Sequence, residues 1–237
     1  MKKQLISAFG ILTCLSLPAI ADDDPLPPTA TEQKELTPKE VLKDLLDGNA
    51  RFVAGDVNLP NIGERIEATA TGQFPKAYIL SCVDSRVPVE LVFDEGIGDI
   101  FVGRVAGNIE SVQQLGSMEF ATKAAGSKLV MVLGHEACGA VKGACDHVKL
   151  GNLTALLAEI QPAVAEVDGF KDDQKNSKNK DFVAAVVKKN VINTVNDIRS
   201  RSSVLSELEK SGDIMIVGAL YSLQTGKVTV IDSTLAK

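Results

Sequence analysis

The sequence predicts an α/β fold: a mostly parallel central sheet flanked by helices, with an antiparallel edge strand and an N-terminal helical arm. Three observations carry that prediction. Short apolar runs alternate with helix-period segments from residue 77 onward, the order that gives right-handed crossovers and parallel strands. Two of those runs end in residues able to ligate a metal, and open α/β sheets carry their sites at the carboxyl ends of strands. The last apolar run is followed by a Thr225-Gly226 turn and then residues 228–231, a spacing that pairs antiparallel.

The elements follow in order. Thr37-Pro38-Lys39-Glu40 combines an N-cap threonine, a proline at the first helical position and a glutamate placed for a capping box. Val41, Leu42, Leu45 and Leu46 then recur at helical spacing, and Gly48-Asn49 is expected to end or interrupt the helix. A short helix is expected near residues 63–71. Residues 77–81 form a buried strand and residues 100–104 a second. A helix is expected over 111–125, a strand over 128–133, and helices over 139–148 and 152–166. Residues 170–180 are polar and lysine-rich, as in a surface loop. A long amphipathic helix covers 182–199, with Val183, Val186, Val187, Val191 and Val195 on its buried side, and residues 214–220 form the next strand.

At 237 residues, with 45% hydrophobic and 24% charged residues, the chain has the composition of one ordinary globular domain. Its formal charge of -6 and lack of a basic stripe argue against nucleic-acid binding. Residues 1–21 read as an export signal: Lys2 and Lys3, an apolar run over 5–17 that is short for a membrane span, then Ala19-Ile20-Ala21 before Asp22-Asp23-Asp24. The expectation is export to the periplasm with cleavage after Ala21 and no stable membrane insertion. Residues 22–36, with Pro25, Pro27 and Pro28, read as a flexible or extended acidic arm, and residues 37–237 as one catalytic domain. Cleavage removes Cys14 and leaves Cys82, Cys138 and Cys145. The last reads as a small buried hydrophobe.

The chemistry concentrates in two islands, Ser81-Cys82-Val83-Asp84-Ser85-Arg86-Val87-Pro88 and Gly134-His135-Glu136-Ala137-Cys138-Gly139. Cys82, His135 and Cys138 make a three-ligand zinc site, one ion per subunit, and three ligands leave zinc one open position for a water. Asp84 lies two residues from a ligand and is placed to orient that water. A bare carboxylate so close would tend to bind the metal itself, and Arg86 offers it a competing fork of donors. Asp84 as a fourth ligand would close the site.

Cys-x-Asp-x-Arg ending one strand and His-x-x-Cys ending another resemble the metal islands of the β-class carbonic anhydrases, here of an exported bacterial type. Gly48-Asn49-Ala50-Arg51-Phe52-Val53-Ala54-Gly55, Val105-Ala106-Gly107-Asn108, Gly139-Ala140-Val141 and Ile216-Val217-Gly218-Ala219 support the resemblance. It implies reversible hydration of carbon dioxide to bicarbonate and a proton. It also implies zinc on Cys82, His135 and Cys138, and Asp84 with Arg86 as the catalytic pair. Gln73 matches a glutamine that reaches substrate across a subunit boundary, Phe101 an apolar wall of the pocket, and the Gly139 N–H an oxygen-binding donor. A homodimer or tetramer with the active site at the dimer boundary is implied as well.

Two departures stand out. Phe120 occupies the place of a tyrosine found in many plant-type members. Ile79 stands where members regulated by a second bicarbonate site carry tryptophan, a residue this chain lacks altogether, so the open form is expected near neutral pH. His147 reads as a surface histidine rather than a proton acceptor. Three other readings fit parts of the pattern: hydrolysis of carbon disulfide or carbonyl sulfide on the same site, a closed zinc-stabilised binding protein, and a thiol-disulfide oxidoreductase. The wide separation of Cys82 and Cys138 opposes the last.

Overall fold

The structure is a computed structural model that describes residues 26–58 and 61–233; the export-signal reading lies outside the described residues. Two helices open it, α1 (Ala30–Glu35) and α2 (Pro38–Ala54), followed by α3 (Ile62–Thr69), β1 (Ala77–Ser81), α4 (Val89–Val92) and β2 (Ile100–Arg104). A 3-10 turn (Ala106–Asn108) leads to α5 (Val112–Glu119), which widens into a π-helical turn (Phe120–Ala124) before β3 (Leu129–His135). Then come α6 (Gly139–Cys145), α7 (Leu153–Ala158), α8 (Gln161–Ala165), a 3-10 turn (Asp172–Gln174), α9 (Lys180–Arg201) and α10 (Ser203–Ser211). The chain finishes with β4 (Met215–Tyr221) and β5 (Val228–Ser233).

The five strands lie in the order β2-β1-β3-β4-β5. All neighbours are parallel except β4 and β5, so the predicted sheet with an antiparallel edge is present. From β1 the chain steps outward to β2, then crosses back to lay β3 on the other side of β1. That reversal is a topological switch point, and it opens a crevice at the carboxyl ends of β1 and β3.

Strand alternation sends Ala77, Ile79, Leu129, Met131 and Leu133 to one face, where they pack with Val41 and Leu45 of α2 and with Val92 and Phe93. The other face carries Tyr78, Leu80, Val130 and Val132, covered by Val191, Val195 and Ile198 of α9 and Leu205 of α10. Both faces are buried, which is why these strands read as continuous apolar runs. A third cluster, formed by Val141, Ala144, Leu157, Ile160, Phe182 and Val186, lies beneath Cys82 and Cys138.

Four expectations differ from the structure. Gly48-Asn49 does not end α2, which runs to Ala54 and closes on Gly55 at φ 75. Gly48 instead permits a close approach: a Cβ there would sit 1.9 Å from the Phe93 carbonyl oxygen. Asn49 is buried and pins that approach, donating to the Val92 and Gly226 carbonyls at 3.0 and 2.9 Å and accepting from the Val228 N–H at 2.7 Å. The helix expected over 152–166 is two helices, because Pro162 lacks an N–H and clashes with the preceding turn; it restarts the chain near the head of α8. Helices α4 and α10 were not expected. Finally, the arm read as flexible or extended over 22–36 contains α1 in its described part, held by a capping box in which Thr29 and Glu32 exchange bonds.

Substituting Gly48→Ala is therefore expected to force α2 off α4 and destabilise the fold by about 3 kcal/mol, the upper range for overpacking. Thermal unfolding followed by circular dichroism checks this. A melting temperature within a degree or two of the parent would contradict it.

Candidate metal centre

Strand β1 delivers Cys82 to the crevice as the residue after Ser81, and β3 delivers His135 as its last residue. The two strands are in register with Ser81 beside Leu133, so His135 reaches two residues further along the same edge. The chain then turns sharply. Ala137 adopts φ 53, a left-handed conformation that costs a residue with a Cβ, and the turn brings Cys138 back as the N-cap of α6. Cys82, His135 and Cys138 are all buried, and their ligand atoms lie within 4.8 Å of one another.

Each of the three is oriented by its surroundings. The His135 Nδ1 lies 2.9 Å from the Glu136 carbonyl oxygen. A carbonyl only accepts, so Nδ1 carries the proton and donates, leaving the Nε2 lone pair directed into the cluster. That buried Nε2 has no hydrogen-bond partner. The Cys82 and Cys138 sulfurs are 3.9 Å apart, and the Gly107 N–H points at the Cys82 sulfur from 3.4 Å. Gly107 has φ 77, and a Cβ there would come 2.6 Å from Ile160, so glycine serves both the turn and the packing.

Two sulfurs this close cannot both carry charge cheaply without a cation between them. Hydrogen bonding from the Cys138 thiol, reinforced by the Gly107 backbone N–H, lowers the Cys82 thiol below its ordinary range. The same bond, together with burial, raises Cys138. Paired soft sulfurs, an imidazole nitrogen and a buried donor atom left without a partner fit a zinc ion.

Asp84 stands beside this set without joining it. Its Oδ2 is 3.8 Å from His135 Nε2, beyond hydrogen-bond range. Arg86 grips both carboxylate oxygens: Nε donates to Oδ1 at 2.9 Å, Nη2 to Oδ2 at 2.7 Å, and the Arg86 backbone N–H to Oδ1 at 3.0 Å. This bonding holds the Asp84 carboxyl well below the usual carboxylate range, so it is an ionised, acceptor-only group at neutral pH. The four-ligand arrangement in which Asp84 closes the site is not the one present.

The sequence reading missed Arg104. It ends β2 level with Ser81 and donates to the backbone carbonyls of Cys82 at 2.8 Å and Asp84 at 2.5 Å, clamping the segment that carries both a ligand and the acid. A charged residue closing a parallel strand at the same edge as a ligand was the available signal. Glu136 was missed as well. Besides accepting the His135 Nδ1–H hydrogen bond on its backbone carbonyl, it accepts on its carboxylate from the Ser222 hydroxyl and the Leu223 N–H at 3.0 Å each, fastening the β4–β5 turn to the metal edge.

The remaining predicted residues divide. Gly139 is the first residue of α6, directly after Cys138, and its N–H belongs to the turn of donors a helix leaves unused. Gln73 and Phe101 are not brought to the cluster. Gln73 precedes the amino end of β1, so the whole five-residue strand, about 16 Å, separates it from Cys82. Phe101 sits beside Tyr78 in register, three residues short of the carboxyl edge. It stacks edge-on with Phe120 at 6.0 Å in an open groove of about 800 Å³ shared with Tyr78 and Gln114. His147 lies exposed just past α6.

The profile of the carbonic anhydrase family matches residues 77–228, which contain every member of the cluster. Carbonic anhydrase 2 of Mycobacterium tuberculosis is 35% identical over 201 residues, 82% of this chain and 93% of that protein. The carbonic anhydrase of Mycolicibacterium smegmatis is 36% identical over 205 residues, 81% of this chain and 92% of that one. Among solved structures, a Coccomyxa β-carbonic anhydrase in complex with acetazolamide superposes with a TM-score of 0.62 at 21% identity, covering 81% of this chain and 84% of its own. A tetrameric β-carbonic anhydrase of Sordaria macrospora superposes at 0.61 and 20% identity, covering 73% and 92%. Two sulfurs, an imidazole and a restrained carboxylate at the switch point of this sheet thus coincide with the matched segment, and the chain belongs to the carbonic anhydrase family, with the fold of its β class.

Proposed function

We propose that this chain catalyses the reversible hydration of carbon dioxide to bicarbonate and a proton, with one zinc ion per subunit held by Cys82, His135 and Cys138. The observation that carries the reading is the buried, unpartnered Nε2 of His135 facing two sulfurs while the adjacent carboxylate is occupied by Arg86. When bound, zinc supplies Lewis acidity that lowers the pKa of a water at its remaining position.

The chain's own residues do the rest. Ionised Asp84 accepts a hydrogen bond from the attacking water and thereby aims its lone pair at the carbon of carbon dioxide. Arg86 keeps the carboxylate from taking the place of that water. The Gly139 N–H is placed to donate to an oxygen of the product as negative charge develops there. Gln73, in the loop before β1, and Phe101, near the start of β2, lie too far from the carboxyl edge to serve their own cluster. We assign them to the cluster of a second copy, giving a dimer, or a tetramer built from dimers, with its active sites at the boundary. The basic start, apolar run and Ala19-Ile20-Ala21 motif of residues 1–21 support export to the periplasm. Among the described residues no helix is long and apolar enough to cross a membrane.

Three outcomes are expected. Cys82→Ser removes a thiolate ligand, so metal analysis of the purified variant should show zinc well below one per chain; full occupancy would remove Cys82 from the site. Arg86→Ala frees Asp84 to move toward the metal, and stopped-flow hydration assays should show kcat/KM reduced roughly 10–100-fold, as for loss of a group that orients a metal site. Full activity in that variant would show that Arg86 has no such role. Mixing Cys82→Ser with Gln73→Ala subunits should raise kcat/KM above that of either variant alone, because one boundary in the mixed dimer then holds an intact metal set and an intact Gln73. If mixing restores nothing although hybrids form, Gln73 does not act across the boundary.

A further inference from the structure

Helix α1 is six residues long, too short to persist by itself, and the one residue it buries is a polar amide, Gln33. An apolar side chain would gain more from burial alone, so the amide is there for direction. Its Nε2 has two N–H groups, and both are used: one donates to the Pro75 carbonyl at 2.8 Å, the other to the Ala125 carbonyl at 2.8 Å. Its Oε1 lies against Gly126, which has φ 85 and where a Cβ would intrude to 2.8 Å. The Ser127 hydroxyl adds a second donor to the Pro75 carbonyl at 2.7 Å.

The two carbonyls belong to different parts of the proposed pocket wall. Pro75 is two residues from Gln73, in the loop before β1. Ala125 closes the π-helical turn that begins at Phe120, its N–H donating to the Phe120 carbonyl at 2.9 Å, and Phe120 stacks on Phe101. One buried amide therefore sets the distance between the loop that carries Gln73 and the turn that backs Phe101. Buried polar contacts of this kind are directional, and losing the amide takes a donor from both carbonyls, leaving Pro75 only the Ser127 hydroxyl.

We infer that Gln33 is a positioning residue for the substrate wall, so that α1 acts as a strut between Gln73 and the Phe101–Phe120 pair. The inference rests on the reading above that Gln73 and Phe101 contact substrate at a second copy's metal centre. It extends the functional site to the N-terminal arm, well before the first ligand, Cys82, in sequence.

The test uses full-length, zinc-loaded protein carrying Gln33→Ala, with Gln33→Met as a second variant that keeps the packing volume while removing both donors. Stopped-flow hydration kinetics should show kcat/KM lowered about tenfold, mainly through KM, as expected for a wall displaced by less than about 1 Å. Zinc content should be unchanged. Gln73→Ala should raise KM in the same way, and the double variant Gln33→Ala/Gln73→Ala should lose little more than either alone. Asn179→Ala, which uncaps α9 far from the arm, should lower thermal stability and leave KM unaltered. A native KM in both Gln33 variants while Gln73→Ala raises KM would overturn the strut and leave the pocket assignment standing. A native KM in Gln73→Ala would overturn both.

Discussion

The site depends on a carboxylate being kept where it is. Asp84 stands 3.8 Å from the ligand nitrogen of His135, close enough that a divalent cation beside His135 would attract it strongly. What opposes that attraction is the Arg86 guanidinium, a planar fork whose two donors match both carboxylate oxygens, with the Arg86 backbone N–H as a third donor. Arg86 is half exposed, so its value is in geometry more than in net stability. The backbone beneath Asp84 is held separately, since Arg104 takes the carbonyls on either side of Val83. Carboxylate and main chain are thus restrained by two different cations, and the metal set remains a trio.

The fold supplies that restraint by bringing two strand ends to one crevice and bending the chain hard there. Strand β3 is buried along its whole length, which makes His135 part of the sheet rather than of a loop. Left-handed backbone at Ala137 and Gly107 then lets Cys138 and an N–H donor for Cys82 fold over the strand ends. Strain of this sort persists only where the surroundings over-determine it. Here the third hydrophobic cluster does so, with Ile160 packed where a side chain on residue 107 would go.

Much of this could be read in the sequence because it follows from short-range rules. The strands were legible because sheets covered on both faces give unbroken apolar runs, and the ligands because thiolates and imidazoles at strand ends have few other uses. What could not be read was long-range. Gly48 looks like a helix stop by propensity; only the Phe93 carbonyl pressing on it from across the fold explains its place inside α2. Thr29 and Glu32 have the same cap spacing as Thr37 and Glu40, yet the neighbouring prolines and acidic composition masked a helix whose stability comes from a distant contact of Gln33. Arg104 and Glu136 act through backbone carbonyls and amides, which leave no mark on residue spacing.

On the proposed reading, the positions of Gln73 and Phe101 constrain the assembly in a way the metal trio does not. A parallel strand has its ends on opposite edges of the sheet, and no side-chain torsion carries Gln73 past the five residues of β1 to the edge where Cys82 lies. The trio itself can form within one chain, so metal binding places no demand on oligomeric state. The substrate wall proposed for Phe101 and Gln73 does, because on that assignment only a second copy docked against the crevice presents it there. On the proposed assignment metal affinity and substrate recognition are separable: the first is set by contacts inside a subunit, the second by the boundary between subunits and by whatever holds that boundary's loops in place.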